Sequence, residues 1–434
     1  MNDNIDKIKR KMQLGININI KFLVLFTFYQ FTVIFEGYEI LGYIVYYGLP
    51  MVFILINYKI CIDLLKYFFQ KKNIKIVVSL FLFYAFTCVW PLIMRTNDFS
   101  AFTNEPLSFM KQMVMQLFLI IIYIKYITKK INLDEYFHYY ILSCALYVLG
   151  TIIISFIPSL KLFLVDHIKE TTFVKEQISK SIYWTRYGWS GFSNFTHTIK
   201  CSISIVLIGY FLSKKQYVDK IIYYLLLLIC LLGNMFYGRI GIVISGIICL
   251  FIFYNLLKTQ RKYAYLCVVT TIVLAIFVFV FSLFNSNIKT WLAWIFTNFI
   301  SLFQGGGVLT GSLGIVFKEM IFMPPLKTVI IGDALYTSDM GFYYMNTDVG
   351  FMRTVLFGGI PYLIIRYNLY ISIMKLLNAK IENGKYFCLL VSVAFALAEI
   401  KGEVLIMFLV TLMPALILTV LKEMNEMVVQ TEIE

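Results

Sequence analysis

An all-α protein that crosses a membrane many times is what this chain predicts, on three observations. Of its 434 residues, 60% are hydrophobic and 14% charged, and the mean hydropathy is +0.80. A soluble domain carries about 25% charged residues, so water is not the main solvent here. Apolar segments of about 17–25 residues recur along the whole chain, each able to cross a hydrocarbon core of roughly 30 Å. They lack the alternation of a membrane β-barrel, so each must satisfy its own backbone as a helix. The expected unit is a single transmembrane domain over 1–434.

Twelve spans are expected, near 20–36, 38–57, 74–94, 107–127, 138–157, 198–213, 221–236, 240–257, 264–284, 349–368, 385–400 and 403–421. The net charge of +14 raises a nucleic-acid partner, but its distribution argues otherwise. With the N-terminus inside, the inner segments hold 24 of the 38 basic residues, Arg366 counted among them, against 14 outside. The positive-inside rule then puts both termini in the cytoplasm. The eight cysteines lie in or beside apolar segments with no C-x-x-C pair, which reads as packing rather than a disulfide framework. No cleavable signal peptide is expected in the polar, basic N-terminal stretch.

Taken in order, the first four spans have short connections. Glu36 and Glu39 read as a solvated outer hairpin tip, and Arg95 follows the third span at the outer interface. His138 falls at the inner end of span five, where no chemistry is expected of it. The first large external loop, 158–197, opens with Leu160, Phe163, Leu164 and His167 on one face of a surface helix. It continues as TRYGWSGFSNFTHT, which carries Arg186 and His197. Spans seven and eight meet at GNMFYGRIGIVISG, placing Arg239 at the mouth of a small-residue helix. An arginine there has no acidic neighbour in sequence and calls for something negative.

The second large external loop, 285–348, begins as an amphipathic interfacial segment with Trp291 and Trp294. Its remainder, from Gly305, is too rich in aromatic and branched residues to read as disordered. It is long enough to be functional, and we expect it to cap a site at one membrane face. Asp348 stands at an expected helix N-cap, and Arg353 follows off that helix face, so it must meet another helix or a polar cavity. Glu399, Lys401 and Glu403 read as a local ion pair in a tight outer turn. No internal repeat is evident.

Nucleotide-loop, zinc-protease and nucleophile-elbow motifs are all missing. Three scattered histidines give no zinc site. Catalysis would therefore rest on carboxylates, arginines and placement. The chain has seven arginines against 31 lysines, yet four of the seven (Arg95, Arg186, Arg239, Arg353) fall on the outer side. A guanidinium grips phosphate bidentately where lysine cannot, so this grouping suits a lipid-linked diphosphate. Proton acceptors are to be sought among Glu319, Asp333, Asp348 and His197. Tyr336, Tyr343 and Tyr344 belong to the same loop as Asp333, where anchoring at the membrane interface also accounts for them.

Three segments, TRYGWSGFSNFTHT, GNMFYGRIGIVIS and DVGFMRTVLFGGIPYLI, in this order and spacing, resemble the bacterial O-antigen and capsular-polysaccharide polymerases, relatives of the O-antigen ligases. The resemblance spans the topology, with the D-x-G-[FY]-[LM]-R…GG segment the most specific part. It implies a GT-C-like, metal-independent glycosyltransferase without a cofactor, in a bacterial inner or plasma membrane. Its partners would be undecaprenyl-diphosphate-linked oligosaccharide, membrane lipid and a chain-length regulator protein. By motif, Arg186, Arg239, Asp348 and Arg353 match the family's functional positions, with Glu319 added as a catalytic candidate. Arg95, His197, Asp333 and the three tyrosines are the candidate substrate contacts. The second loop departs from the ligase pattern: it lacks a histidine and reads LGIVFKEM, with Lys318 and Glu319. The alternatives are a ligase and a lipid-linked oligosaccharide flippase or other transporter.

Overall fold

The computed structural model describes residues 18–71, 73–128, 130–170, 175, 187–192, 195–214, 220–284, 289–290, 292–293, 314–338 and 342–431. In chain order the helices are α1 (Ile20–Gln30), α2 (Glu39–Ile56), α3 (Tyr58–Phe68), α4 (Ile74–Ile93), α5 (Ser100–Ile127), α6 (Leu133–Phe156) and α7 (Pro158–His167). A two-stranded antiparallel hairpin follows, β1 (Tyr187–Gly188) and β2 (Gly191–Phe192). Then come α8 (Phe195–Ser213), α9 (Lys220–Tyr237), α10 (Arg239–Thr259), α11 (Arg261–Phe284), α12 (Leu326–Ile331), α13 (Gly350–Lys380), α14 (Gly384–Glu399) and α15 (Leu405–Thr431). Among the described residues nine helices are long and apolar enough to cross a membrane: α2, α4, α5, α6, α8, α9, α10, α13 and α15. The chain is thus an all-α polytopic membrane protein.

The other three expected spans are helical too, as α1, α11 and α14, but α1 stops short. It ends at Gln30 rather than 36, with Phe31 already non-helical. The β-branched run Thr32–Val33–Ile34 favours extended backbone, and Phe35 bridges Ile168 of the 158–197 loop. Lys175 and Lys169 of that loop pair with Glu36 and Glu39. The expected solvated tip is therefore a docking point. The expected inner linker after residue 57 contains helix α3, which buries Leu64, Tyr67 and Phe68 on one face and leaves Lys59 and Lys66 exposed.

The centre of the bundle is α8, in which every position from Thr198 to Leu212 is buried except Lys200. It packs against α6, α9, α10, α14 and α15, as expected of a helix apolar on all sides. Helix α8 begins at Phe195, so the first large loop ends earlier than the expected 197. Within that loop α7 forms as expected, with Phe163 stacked on His167 one turn later. The segment YGWSGF closes the small hairpin onto α6, where Tyr147 and Ser190 are hydrogen-bonded at 2.6 Å.

One irregularity positions the site. Helix α13 is broken at Gly358 (φ −135°, ψ 15°) and Gly359 (φ 60°, ψ −157°), just before Pro361. The end of α12 is wedged into this notch. Its Asp333 and Ala334 amides donate to the freed Leu356 and Phe357 carbonyls at 2.7 and 2.9 Å. Non-helical backbone at membrane depth must find such partners. Gly332 is obligatory, having φ +73° and no room for a Cβ, which would lie 2.4 Å from the Phe357 carbonyl oxygen.

The wedge is pinned from the other side by the α4–α5 connection. Asp98 accepts from the Tyr336 and Thr337 amides at 2.6 and 2.9 Å, and Thr96 donates to the Ala334 carbonyl at 2.7 Å. Burial raises the Asp98 carboxyl, but hydrogen bonds from Ser100, Thr337 and Tyr336 outweigh it and leave the group below its ordinary value.

Candidate functional site

The short turn between α14 and α15 organises the site, and each part of the Asp348–Gly359 motif answers to it or to the notch. Gly350 lies so close that a Cβ would stand 2.6 Å from the Gly402 carbonyl oxygen. That approach brings the start of α13 onto the turn. Arg353 then meets Glu403 at 3.1 Å, both nearly fully buried. Asp348 pairs with Lys401. The N-cap of α13 is Val349, with no side-chain capping bond, so the expected capping role of Asp348 is replaced by an ion pair.

Glu399, Lys401 and Glu403 therefore do not form a local set; each reaches a different partner on α13 or at its start. Lys401 takes Asp348, Glu403 takes Arg353, and Glu399 takes Arg366 at 3.4 Å. Reading this turn as a local ion pair missed it, because the partners are distant in sequence.

Arg366 is the largest correction. Counted above with the inner cations, it is wholly buried in the bundle. Its guanidinium meets Glu105 at 2.6 Å and Glu399 at 3.4 Å and also donates to Thr354. Tyr362 donates to Glu105, and Tyr336 to Glu403. Three glutamates and two arginines thus share one buried region, Glu105 from α5 meeting Arg353 and Arg366 of α13 and Glu399 and Glu403 of the α14–α15 corner. Glu105 precedes Pro106 in the turn-rich stretch TNDFSAFTNEP, and nothing local marks it as buried.

A chamber of about 400 Å³ opens beside this cluster. Its charged wall is Glu105, Asp348, Arg353, Lys401 and Glu403; Ser108, Gln112, Thr196 and Tyr343 add polar groups. The Arg353 guanidinium is sandwiched between Tyr336 and Tyr343, 4.0 and 3.7 Å from the ring centres. Its Nε and Nη2 have no hydrogen-bond partner among the described residues. Burial, reinforced by the Glu403 carboxylate, keeps the Tyr336 phenol protonated well above its ordinary value. The expectation that Arg353 faces a polar cavity matches this geometry.

The other candidates fall differently. Tyr336 and Tyr343 line the chamber with Asp348 and Arg353. Asp333 and Tyr344 do not: Asp333 accepts from Thr328 at 2.9 Å and from Tyr344 at 3.3 Å, bracing the wedge. Glu319 lies exposed in the π-helical turn Val316–Met320, away from the chamber wall. Arg95 is exposed on a left-handed backbone position (φ 58°) and is not part of the wall. His197 packs between Phe31 and Tyr147, with Nε2 3.3 Å from the Ser190 hydroxyl, behind the chamber rather than in it. Arg239 opens α10, and its side chain lies outside what the structure describes; Arg186 falls outside the described residues altogether, as do residues 294–313 of the second loop.

Chemically, the chamber sets two cations beside three carboxylates. It offers anion-binding and proton-accepting groups within one enclosed volume, where charge interactions are stronger than in water. Among the described residues no group of three or more potential metal ligands occurs. Comparisons with protein-family models, with curated proteins and with solved structures return no match.

Proposed function

We propose that this chain is a membrane-embedded polysaccharide polymerase. It would transfer a growing glycan from an undecaprenyl-diphosphate carrier to the sugar of another lipid-linked repeat unit. The proposal includes a GT-C-like arrangement of twelve spans with both termini cytoplasmic and the reaction at the external face. Support comes chiefly from Arg353. It is a buried guanidinium on the chamber wall with two nitrogens unpartnered among the described residues, an arrangement that is costly unless a ligand completes it.

In this reading Arg353 and Lys401 hold the diphosphate and offset the charge that grows as it leaves. An acceptor hydroxyl attacks the anomeric carbon of the donor, forming the new glycosidic bond as the bond to the diphosphate oxygen breaks. The hydroxyl proton goes to a carboxylate. Of the wall carboxylates, Glu403 is held in place by both Arg353 and Tyr336, which makes it the best-positioned base. Tyr336 and Tyr343 fix the guanidinium plane. Arg186 and Arg239 join by motif, as further diphosphate contacts.

A flippase draws on a different observation, the buried carboxylate–guanidinium cluster around Arg366, since ionised groups inside a bundle also mark transport paths. A ligase would use the same chemistry with another acceptor. Supplying the purified protein in liposomes with one lipid-linked repeat unit separates these. A ladder of products supports polymerisation. Translocation without elongation supports a flippase, and absence of both sinks the proposal.

A further inference from the structure

A second cavity, of about 220 Å³, adjoins the chamber and shares Ser108, Gln112, Thr196 and Met407 with its wall. The two differ in charge. The chamber wall carries three carboxylates and two cations, whereas the second compartment adds Lys111 of α5 and Lys200 of α8 and has no acidic residue in its lining. Lys200 is the one position between Thr198 and Leu212 of the central helix that is not buried. Its ammonium donates to the Gln30 carbonyl and lies 4.5 Å over the Phe31 ring. Neither lysine has a carboxylate within ion-pair distance among the described residues, although six other lysines do. Lys200, set inside the bundle on the central helix, is an ammonium without a counter-charge and calls for an anion from outside the chain, while Lys111 stands exposed on the same lining. The neutral donors Gln112 and Gln116 and the Tyr140 hydroxyl line the same space, and Met115, Met407 and Val410 give it an apolar side.

We infer that this second compartment binds a phosphate-bearing headgroup through Lys111 and Lys200, so that the chain holds two such headgroups across one shared wall. Several acceptor oxygens on one small anion suit two ammonium groups ringed by neutral donors, and the apolar side suits a lipid tail. The inference rests on the lipid-linked substrate proposed above and supplies what a transfer between two carriers requires, a place for the second carrier.

The test uses the full chain in nanodiscs of zwitterionic phospholipid, titrated with undecaprenyl diphosphate, with stoichiometry and affinity read by native mass spectrometry. Two bound lipids per chain are expected in the wild type. Lys200→Met and Lys111→Met should each weaken one of them about tenfold, the scale of a lost charge-assisted contact, and leave the other unchanged; Lys200→Arg should retain both. Inorganic pyrophosphate in a parallel titration identifies the source. Competition for the lysine-dependent site means the headgroup alone is recognised, and lack of competition means the lipid tail is needed. Unchanged stoichiometry and affinity in both methionine variants overturns the inference, and exposed Lys111 guards against a folding defect at Lys200. Intact lysine-dependent binding in a protein that elongates no glycan would sink the polymerase reading and leave this one standing.

Discussion

Arg366 donates a hydrogen bond to Thr354, twelve residues earlier on the same helix. Along a straight α-helix those residues stand about 18 Å apart, beyond the reach of any side chain. The break at Gly358–Gly359 folds the first turns of α13 back toward the rest, and this brings the buried cluster next to the chamber.

Arg366→Met should destabilise the protein strongly, by about 3–5 kcal/mol, because Glu105 and Glu399 then remain buried without their cation. Thermal unfolding in detergent measures it. Adding Glu105→Gln should recover part of the loss, since the second change removes one of the stranded charges. A single variant that melts with the wild type would show that the cluster contributes nothing to the fold.

Gly359→Ala and Gly332→Ala should each be poorly tolerated. Both positions have positive φ, and the added Cβ would lie 2.6 Å from the Ile330 backbone in the first and 2.4 Å from the Phe357 carbonyl in the second. Backbone strain of this kind costs about 1–3 kcal/mol, and displacing the wedge adds to it. Gly246→Ala, which meets nothing within 4 Å, serves as the control. Equal melting temperatures for all three would count against the notch.

Arg353→Lys should keep the charge yet lose most polymer formation at normal protein levels. A lysine cannot present a plane to Tyr336 and Tyr343. Polymer length on gels, set against the amount of membrane-inserted protein, is the readout. Full-length polymer from this variant would remove Arg353 from the site.

Docking of the wedge on Asp98 should weaken in acid. The folded carboxyl sits below its ordinary 3.8, so its stabilising contribution is complete above that value and is lost as pH falls through the folded one. Exchange of the Tyr336 and Thr337 amides, corrected for intrinsic rates, should therefore speed up below about pH 4. In Asp98→Asn it should be faster at neutral pH, approach the wild type in acid and lose this dependence. A wild type whose protection is flat down to pH 2 would contradict the Asp98 assignment.

Hydrophobic length made the helices legible: eight of the twelve expected segments start and stop within about five residues of observed ones, because a bilayer sets span length more tightly than any local propensity. The exceptions are α1, cut short by the β-branched run after Gln30, α5, which already starts at Ser100, and α13 and α15, which continue to Lys380 and Thr431. Arg353 was legible because no acidic residue shares its helix face. Glu105, Glu399, Glu403 and Arg366 were not. A buried ion pair is a property of two residues, and Arg366 and Glu105 are separated by the seven helices α6 to α12 of intervening chain. Hydropathy sees each charge alone and assigns it to water.

The notch in α13 also bears on how the protein is made. Gly350–Lys380 does not enter the membrane complete in itself, for its Leu356 and Phe357 carbonyls take donors from Asp333 and Ala334. Those donors leave the ribosome earlier and must wait outside the bilayer until the helix arrives. Insertion of this span is thus a joining step rather than a solitary threading, and a nascent chain stalled between the two events would expose an unfinished helix to the cell's membrane quality control.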